Sequence, residues 1–387
     1  MQPFSFRTVP SIVVESGAAR RLGALLAQSF PGKTRICVVT DGFLHRSGVL
    51  DSALSSLREH GWDLTIVDDV VADPPEHVVL EATGKARHAQ VEVVLGLGGG
   101  SSMDVAKLIS VLASGTQKLP EVYGIGNVTG MRLPLVQMPT TAGTGSEVTA
   151  VSIVTTGATT KMGVVSPQLV ADLAILDAEL TVGLPRHVTA ATGIDAMVHA
   201  IEAFTSARLK NPVSDLLATQ ALRLLTRHLL PACDRGTDLA AREAMLLGAM
   251  YAGQAFANAP VAAVHALAYP IGGIFHVPHG LSNALVLPHV MRFNAPVAAH
   301  LYAQLADIVV PDLARHANDD ANAEALITCF ERLIEATGIP RRLREVGIEP
   351  DDLPRLASDA MLQTRLLLNN PRPLDEHAAL TIYRAAY

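Results

Sequence analysis

Five side chains in the C-terminal half of the sequence have the residue types and spacing of a metal site. Asp195 and His199 are four residues apart, which on a helix places both side chains on one face. His265, His276 and His279 follow in a long uncharged stretch. A buried carboxylate without a partner is costly, and a divalent cation would satisfy it. One carboxylate with two or three imidazoles suits Fe²⁺, Zn²⁺ or Mn²⁺.

Simpler interpretations of these residues exist. An Asp–His pair on a helix is often a hydrogen-bonded structural pair, and a single buried histidine is usually satisfied by its neighbours. The combination favours a metal, because residues 244–291 contain no Asp, Glu, Lys or Arg that would compensate. The same stretch is long enough for a membrane span, but its histidines, asparagines and prolines are too dense for a lipid-facing helix. We therefore expect it to form a buried wall of an active site.

A glycine-rich segment, residues 96–107 (GLGGGSSMDVAK), follows a predicted strand and opens a helical pattern. Glycines let the backbone approach a ligand closely, and a helix N-terminus offers N–H groups to phosphate. Ser101 stands where the third glycine of a GxGxxG fingerprint would be, and a P-loop ending in Lys-Ser or Lys-Thr is absent. The segment indicates phosphate binding; a tight strand–helix turn is the alternative.

A second polar segment, residues 139–149 (PTTAGTGSEVT), also follows a predicted strand. Ligands of open parallel sheets bind at the carboxyl ends of the strands, so its hydroxyl groups are candidates for the same ligand. A Ser/Thr-rich surface loop is the alternative. Asp41 ends a further strand, where a carboxylate can accept hydrogen bonds from a ribose and disfavour a 2′-phosphate. It therefore predicts NAD(H) over NADP(H), unless it merely starts a turn with Gly42.

The first half of the chain alternates short β-branched runs with helical patterns, which is typical of a parallel, Rossmann-like sheet covered by helices. The predicted strands are 35–40, 64–67, 91–95, 134–138 and 173–176, with helices at 50–57 and 79–86. After Gly183 the strand signals end. Apolar residues then recur at helical spacing in 188–204, 211–230, 240–257, 297–308 and 321–335. We predict an α/β domain at 1–183, an all-helical domain at 184–387, and a cleft between them.

Composition excludes several classes of function. The 387 residues carry a net charge of -7 without a basic block, which argues against a nucleic-acid partner. The N-terminus has no signal-peptide pattern, and no membrane span is expected. Three distant cysteines support neither a disulfide framework nor a CxxC metal site. A reducing, cytoplasmic compartment is the simplest expectation.

Four blocks of the sequence together resemble the iron-containing (group III) alcohol dehydrogenases. They occur in the order expected for that family and span about half the chain. The blocks are 98–107 (GGGSSMDVAK), 139–147 (PTTAGTGSE), 192–202 (TGIDAMVHAIE), and 264–270 (VHALAYP) leading to 278–280 (PHG).

The resemblance implies a nucleotide-binding N-terminal domain, a helical C-terminal domain and a homodimer. It implies an Fe²⁺ site, with Zn²⁺ as the alternative ion, held by Asp195, His199, His265 and His279. His276 falls where the family has no ligand, so we expect it beside the ligands. The implied NAD(H)-binding residues are Gly98, Gly99, Gly100, Ser101, Ser102, Asp104, Thr140, Thr141, Thr144, Ser146 and Lys161, in addition to Asp41. Lys161, Tyr269 and His279 are the candidate catalytic residues.

The sequence departs from the family pattern at two positions. Tyr269 lies four residues after His265, where the family often has a histidine, and Asp73-Pro74-Pro75 replaces an Asn-Pro pair. A phenol has an ordinary pKa of about 10 and is a poor proton relay. We therefore expect Tyr269 to shape the substrate pocket; the alternative is a general acid with a lowered pKa.

The predicted activity is the metal-dependent, NAD(H)-linked interconversion of a small alcohol and its aldehyde or ketone by hydride transfer in the interdomain cleft. A maleylacetate-reductase-like enzyme is a competing hypothesis, although the uncharged stretch offers no cations for two substrate carboxylates. A dehydroquinate-synthase-like lyase and a non-enzymatic nucleotide-binding protein are two further hypotheses. A panel of alcohols and aldehydes with NADH separates them.

Overall fold

A computed structural model describes residues 3–157, 160–309 and 318–387. The chain forms two compact units. The α/β unit comprises Thr8–Gly183, and the helical unit comprises Leu184–Tyr387 together with residues 3–7.

The α/β unit is built from nine strands in its described residues. They are β1 (Ser11–Val14), β2 (Arg35–Asp41), β3 (Asp63–Val70), β4 (Val93–Gly98), β5 (Gly124–Ile125), β6 (Leu135–Pro139), β7 (Val151–Thr156), β8 (Thr160–Val165) and β9 (Leu173–Leu176). The helices between them are α1 (Leu22–Ser29), α2 (Gly42–Ser47), α3 (Asp51–Glu59), α4 (Glu76–His88), α5 (Gly100–Ser114) and α6 (Leu119–Val122).

Six strands form one parallel sheet in the order β1-β9-β6-β4-β2-β3. β4 and β6 are buried along their whole length, which explains their apolar, β-branched sequences. Because neighbouring parallel strands end at the same edge, the carboxyl ends of β2, β4 and β6 lie next to one another. The predicted parallel, Rossmann-like sheet is confirmed, and this edge carries the glycine loop.

A second, smaller sheet has the order β5-β8-β7, with β7 and β8 antiparallel. The sequence patterns did not predict these strands, and they did not predict β1. Their sequences are short and interrupted by Ser, Thr, Lys and Gly, so they lack the continuous apolar runs that identified the buried strands. β8 of this sheet carries Lys161, one of the predicted cofactor-binding residues.

The helical unit confirms the predicted all-helical C-terminal region. Its helices are α7 (Arg186–Thr205), α8 (Pro212–Asp234), α9 (Leu239–Asn258), α10 (Ala263–Phe275), α11 (His279–Val309), α12 (Asp319–Thr337), α13 (Leu353–Ala360), α14 (Thr364–Leu367) and α15 (Glu376–Ala386). α11 begins well before the predicted segment 297–308. Pro288 and Pro296 lie inside it, and the sequence pattern placed the start of the helix after them because prolines normally indicate helix ends. Among the described helices, none combines the length and apolar character that crossing a membrane requires.

α7 is the central element of the helical unit, and nearly all of its residues from Thr189 onward are buried. Gly193 allows α8 and α9 to pack closely against it. A Cβ added there would lie 2.5 Å from Leu229 Cδ1 and 2.7 Å from Met245 Cε. Small side chains on α7 thus allow close helix packing, and two of the predicted metal ligands lie within this buried helix.

Candidate functional site

The four predicted metal ligands come together in the helical unit. Asp195 and His199 lie on α7, His265 lies on α10, and His279 is the first residue of α11. One candidate ligand atom from each residue lies within 4.8 Å of the other three. Asp195 Oδ1 is 3.6 Å from His279 Nε2, 3.9 Å from His265 Nε2 and 4.0 Å from His199 Nε2. The four predicted ligands therefore lie close enough together to hold a single metal ion.

The cluster places a carboxylate in a nearly dry environment. Asp195 is 2% exposed, and its ion-pair partners among the described residues are histidines rather than Lys or Arg. Burial alone would raise the pKa of Asp195, but the three facing imidazoles and a hydrogen bond from Asn283 lower it below its usual range. A buried, ionised carboxylate facing three ring nitrogens is a donor set that fits a divalent cation.

Glu202 fixes the orientation of His265. Its Oε2 is 2.6 Å from His265 Nδ1, and its Oε1 accepts a 2.7 Å hydrogen bond from the Val264 backbone N–H. With Nδ1 donating to the carboxylate, Nε2 is left as the lone-pair atom that faces Asp195. Such carboxylate–histidine pairs orient metal-ligating imidazoles in proteins. The sequence patterns indicated no role for Glu202, although it lies three residues after His199 on α7.

Two further side chains that no sequence pattern identified support the cluster. Asn283 is fully buried and donates from Nδ2 to Asp195 Oδ1 at 2.6 Å. It lies four residues after His279, so helical spacing on α11 was a usable signal. Phe256 stacks on the ring of His199 with centroids 4.4 Å apart. Its place on α9, distant in sequence, gave no local signal.

Close backbone packing brings His279 to Asp195. A Cβ added at Gly280 would lie 2.4 Å from the Ala191 carbonyl oxygen and 3.3 Å from Asp195 Cβ. Only glycine allows the start of α11 to approach α7 this closely. The glycine of the 278–280 block therefore has a positional function in the cluster.

The glycine loop and the second polar loop are neighbours at the sheet edge of the α/β unit. A Cβ on Gly100 would lie 2.7 Å from Thr144 Cγ2, and one on Gly99 would lie 3.8 Å from Thr141 Cγ2. Thr140 donates from its backbone N–H to the Gly98 carbonyl at 3.0 Å. The structure therefore brings these predicted cofactor-binding positions together, at the N-terminus of α5.

A cavity of about 600 Å³ opens beside the glycine loop. Its walls include the segment 99–102, which contains Ser101 and Ser102, and Asp41 at the end of β2. Asp41 Oδ1 accepts hydrogen bonds from the backbone N–H groups of Phe43 and Leu44, each at 2.9 Å. Asp41 is therefore the N-cap of α2, as the turn-forming interpretation of this residue required, and it also faces the cavity.

Asp104 and Ser146 lie in a buried network below these loops. Ser146 Oγ is 2.6 Å from Asp104 Oδ1 and 2.7 Å from Lys107 Nζ. Lys107 is fully buried and also donates to Thr149 Oγ1 at 3.0 Å and to the Val151 carbonyl at 2.7 Å. The network ties α5 to the second loop. Lys107 belongs to the 98–107 block, but its sequence context indicated no role for it.

Two family models together match most of the chain. The model described as iron-containing alcohol dehydrogenase matches residues 10–178, and the model of the C-terminal region of the Fe-containing alcohol dehydrogenase family matches residues 189–387. The chain belongs to the iron-containing alcohol dehydrogenase family.

Similar proteins agree with this assignment. The chain is 42% identical over 365 residues to long-chain-alcohol dehydrogenase 1 of Geobacillus thermodenitrificans, covering 92% of this chain and 90% of that one. It is 34% identical over 369 residues to the NAD-dependent methanol dehydrogenase of Bacillus methanolicus, covering 95% and 96%. A crystal structure of 1,3-propanediol oxidoreductase matches with a TM-score of 0.95, 34% identity and 100% coverage of both chains. The predicted family and activity class are confirmed, and the keto-acid reductase and lyase hypotheses are not favoured.

The structure shows what surrounds Asp73 and Tyr269, the two residues that depart from the iron-containing alcohol dehydrogenase pattern. Lys161 Nζ is 2.6 Å from Asp73 Oδ1 and 3.1 Å from Thr155 Oγ1, so the aspartate that replaces the family's asparagine pairs with the family lysine. The ring of Tyr269 lies beside that of His279, with centroids 5.9 Å apart. His276 is exposed as the left-handed C-cap of α10, with φ 56°, and does not belong to the four-residue cluster.

Proposed function

We propose that this member of the iron-containing alcohol dehydrogenases is a metal-dependent, NAD(H)-linked enzyme that interconverts a small alcohol and its aldehyde or ketone. The cluster of Asp195, His199, His265 and His279 is the observation that carries the proposal. It combines a buried carboxylate with three imidazole ring nitrogens, and the chain belongs to the iron-containing alcohol dehydrogenase family.

Fe²⁺ is the ion we propose for this cluster, with Zn²⁺ as the alternative. One carboxylate and three imidazoles are donors that suit either ion, and membership of the iron-containing family favours Fe²⁺. When bound, the ion supplies Lewis-acid polarisation of the substrate oxygen, and the nicotinamide supplies the hydride chemistry.

Neighbouring side chains orient the proposed metal ligands. Glu202 holds His265 in one tautomer, and Asn283 holds Asp195 by a hydrogen bond. His279, whose side chain is 38% exposed, is the most accessible of the four, and Tyr269 stands beside it. We propose that Tyr269 shapes the substrate pocket next to His279.

The cavity of the α/β unit is the proposed NAD(H) site. Gly98, Gly99, Gly100, Ser101 and Ser102 form the proposed pyrophosphate loop at the N-terminus of α5. Thr140, Thr141 and Thr144 line the adjoining loop, and Asp104 and Ser146 support it from below. Asp41 is proposed to face the adenosine ribose and favour NAD(H). Lys161, held by Asp73, is proposed to act near the nicotinamide ribose.

Three further proposals concern the protein's organisation and setting. Family resemblance supports a homodimer and a division into a nucleotide-binding domain at 1–183 and a metal-binding domain at 184–387. The free thiols of Cys37, Cys233 and Cys329 support a reducing, cytoplasmic compartment.

The function is tested by NADH oxidation with a panel of short and long aldehydes and ketones, on protein of measured metal content. We expect turnover with at least one carbonyl compound and the reverse reaction with its alcohol. Binding of NADH without turnover across the panel would contradict the proposal.

A further inference from the structure

Three stretches of the α/β unit line the cavity beside the glycine loop: residues 41–46, 68–72 and 99–102. Phe43 and Val71 are 73% and 51% exposed and supply apolar surface in its lining. Asp41 and Arg46 supply charge in the same lining. Asp41 follows β2, the neighbour of the strand that carries the glycine loop, which is where Rossmann-type sites read the ribose 2′ position.

Arg46 reaches back over Gly42 towards the end of β2. A Cβ added at Gly42 would lie 2.8 Å from Arg46 Nη1 and 3.4 Å from Nη2. Thus the guanidinium lies next to the residue that follows Asp41. It has no ion-pair partner among the residues that the structure describes.

Two of the three carboxylates in this lining, Asp68 and Asp69, are paired with cationic or imidazole side chains. Asp68 accepts from His45 Nδ1 at 2.7 Å, and Asp69 pairs with Lys85 Nζ at 2.6 Å. Asp41 has one carboxylate oxygen committed to capping α2. Arg46 is therefore the cation of this lining that is available for an anionic ligand.

We propose that Arg46 is the 2′-phosphate contact of this cavity and gives the enzyme use of NADP(H) alongside NAD(H). The proposal rests on the proposed nucleotide site. A guanidinium binds a phosphate through a planar fork of N–H groups, and an arginine near the ribose is the usual means of accepting a 2′-phosphate. Asp41 opposes that phosphate through like charge while Arg46 attracts it, so cofactor choice depends on the balance of the two side chains.

The test compares two ligands that differ only in the 2′-phosphate, AMP and adenosine 2′,5′-bisphosphate, by calorimetric titration of the full chain. Arg46→Ala should weaken the bisphosphate about ten- to hundredfold, as expected for a lost charge-assisted hydrogen bond, and weaken it far more than AMP. Arg58→Ala, an exposed arginine outside the cavity lining, is the matched control and should leave both affinities unchanged.

A second variant tests the opposing charge. Asp41→Asn removes the charge and keeps a good helix N-cap, so α2 should survive the change. We expect tighter binding of the bisphosphate, and loss of that gain when Arg46→Ala is added. Circular dichroism of each variant confirms folding.

The outcomes separate this proposal from the proposed function. Equal loss of both ligands in Arg46→Ala, or loss of neither, overturns the role of Arg46 while leaving the alcohol dehydrogenase assignment intact. Failure of the unmodified chain to bind either ligand overturns both Arg46 and the nucleotide site. A specific loss of the bisphosphate supports the proposal, including in protein that shows no turnover.

Discussion

The ligand cluster of the helical unit and the glycine loop of the α/β unit are built from different parts of the chain. The cluster consists of four side chains from three helices, and two of them are oriented by further side chains, Glu202 and Asn283. The loop consists largely of backbone and small residues where strands end. If the cluster binds a metal as proposed, loss of any one of its four side chains should have a large effect. In the second, the proposed cofactor contacts are shared among many backbone and hydroxyl groups, so single changes should have graded effects.

Removing one ligand should give the largest effect. His265→Ala takes away a ring nitrogen and leaves Glu202 buried without its partner. We expect loss of bound metal and a fall in kcat by orders of magnitude, because the site loses both a donor and its orientation. Metal analysis and NADH kinetics on the same sample check this. Metal content and kcat close to those of the parent would remove His265 from the site.

A glycine substitution tests whether the metal cluster also depends on close backbone packing in the helical unit. Gly280→Ala forces a methyl group to within 2.4 Å of the Ala191 carbonyl oxygen unless the start of α11 moves. We expect a stability loss of about 1–3 kcal/mol, typical of overpacking, and weaker metal binding.

The matched control is Gly84→Ala on α4, where an added Cβ meets no atom within 4 Å. Alanine should stabilise that helix by roughly 0.5–1 kcal/mol. Denaturant unfolding of both variants measures the contrast. Equal effects at the two glycines would contradict the packing explanation.

A smaller effect is expected where a side chain lies beside the ligands without orienting them. Tyr269→Phe should keep kcat within about tenfold and change KM for bulky substrates, because Tyr269 is proposed to shape the pocket. A general acid would instead cost about 10²–10⁴ in rate and one limb of the pH profile. The second result, with unchanged metal content, would replace the pocket role by proton transfer.

The last prediction concerns the pH dependence of a buried carboxylate in the second polar loop. Burial raises the pKa of Glu147 from 4.5 to about 7, against the opposing effect of its backbone hydrogen bond and Lys107. The folded chain therefore binds a proton there between pH 4.5 and 7 that the unfolded chain has released. The contribution of this bound proton to the stability of the folded chain is fully present below pH 4.5 and is lost as the pH rises to 7.

Glu147→Gln should remove this pH dependence. Between pH 5 and pH 8, the free energy of unfolding of the parent should fall relative to the variant by about 1–3 kcal/mol. Urea unfolding at the two pH values measures it, with Glu59→Gln at an exposed position as control. A constant difference between parent and variant would show that Glu147 is not protonated in the folded chain.

The sequence was most informative where signals are local. Continuous β-branched runs identified the buried parallel strands, and the four-residue spacing of Asp195 and His199 placed both on one helix face. The pairing of Glu202 with His265 spans 63 residues, so spacing alone could not reveal it. The sequence did not predict the full length of α11, because Pro288 lies inside the helix. Whether a proline ends a helix depends on tertiary packing, which no local sequence pattern shows.

The glycine loop and the second polar loop show the same limit of sequence-based prediction. The glycines and hydroxyl residues of the two polar loops were predictable from their positions after strands. Lys107 lies on α5, but its partners Thr149 and Val151 come from a later part of the chain. The Lys161–Asp73 pair likewise depends on the small sheet, which no sequence pattern predicted.

Metal removal and return on the unmodified enzyme tests the central claim most directly. NADH oxidation with an active aldehyde is measured on the purified enzyme, after chelation, and after addition of Fe²⁺ or Zn²⁺, with metal content determined at each step. We predict that activity falls with the metal and returns when a divalent ion is restored, most fully with Fe²⁺. Full activity in protein shown to be free of metal would contradict the claim that the Asp195 cluster is the catalytic metal site.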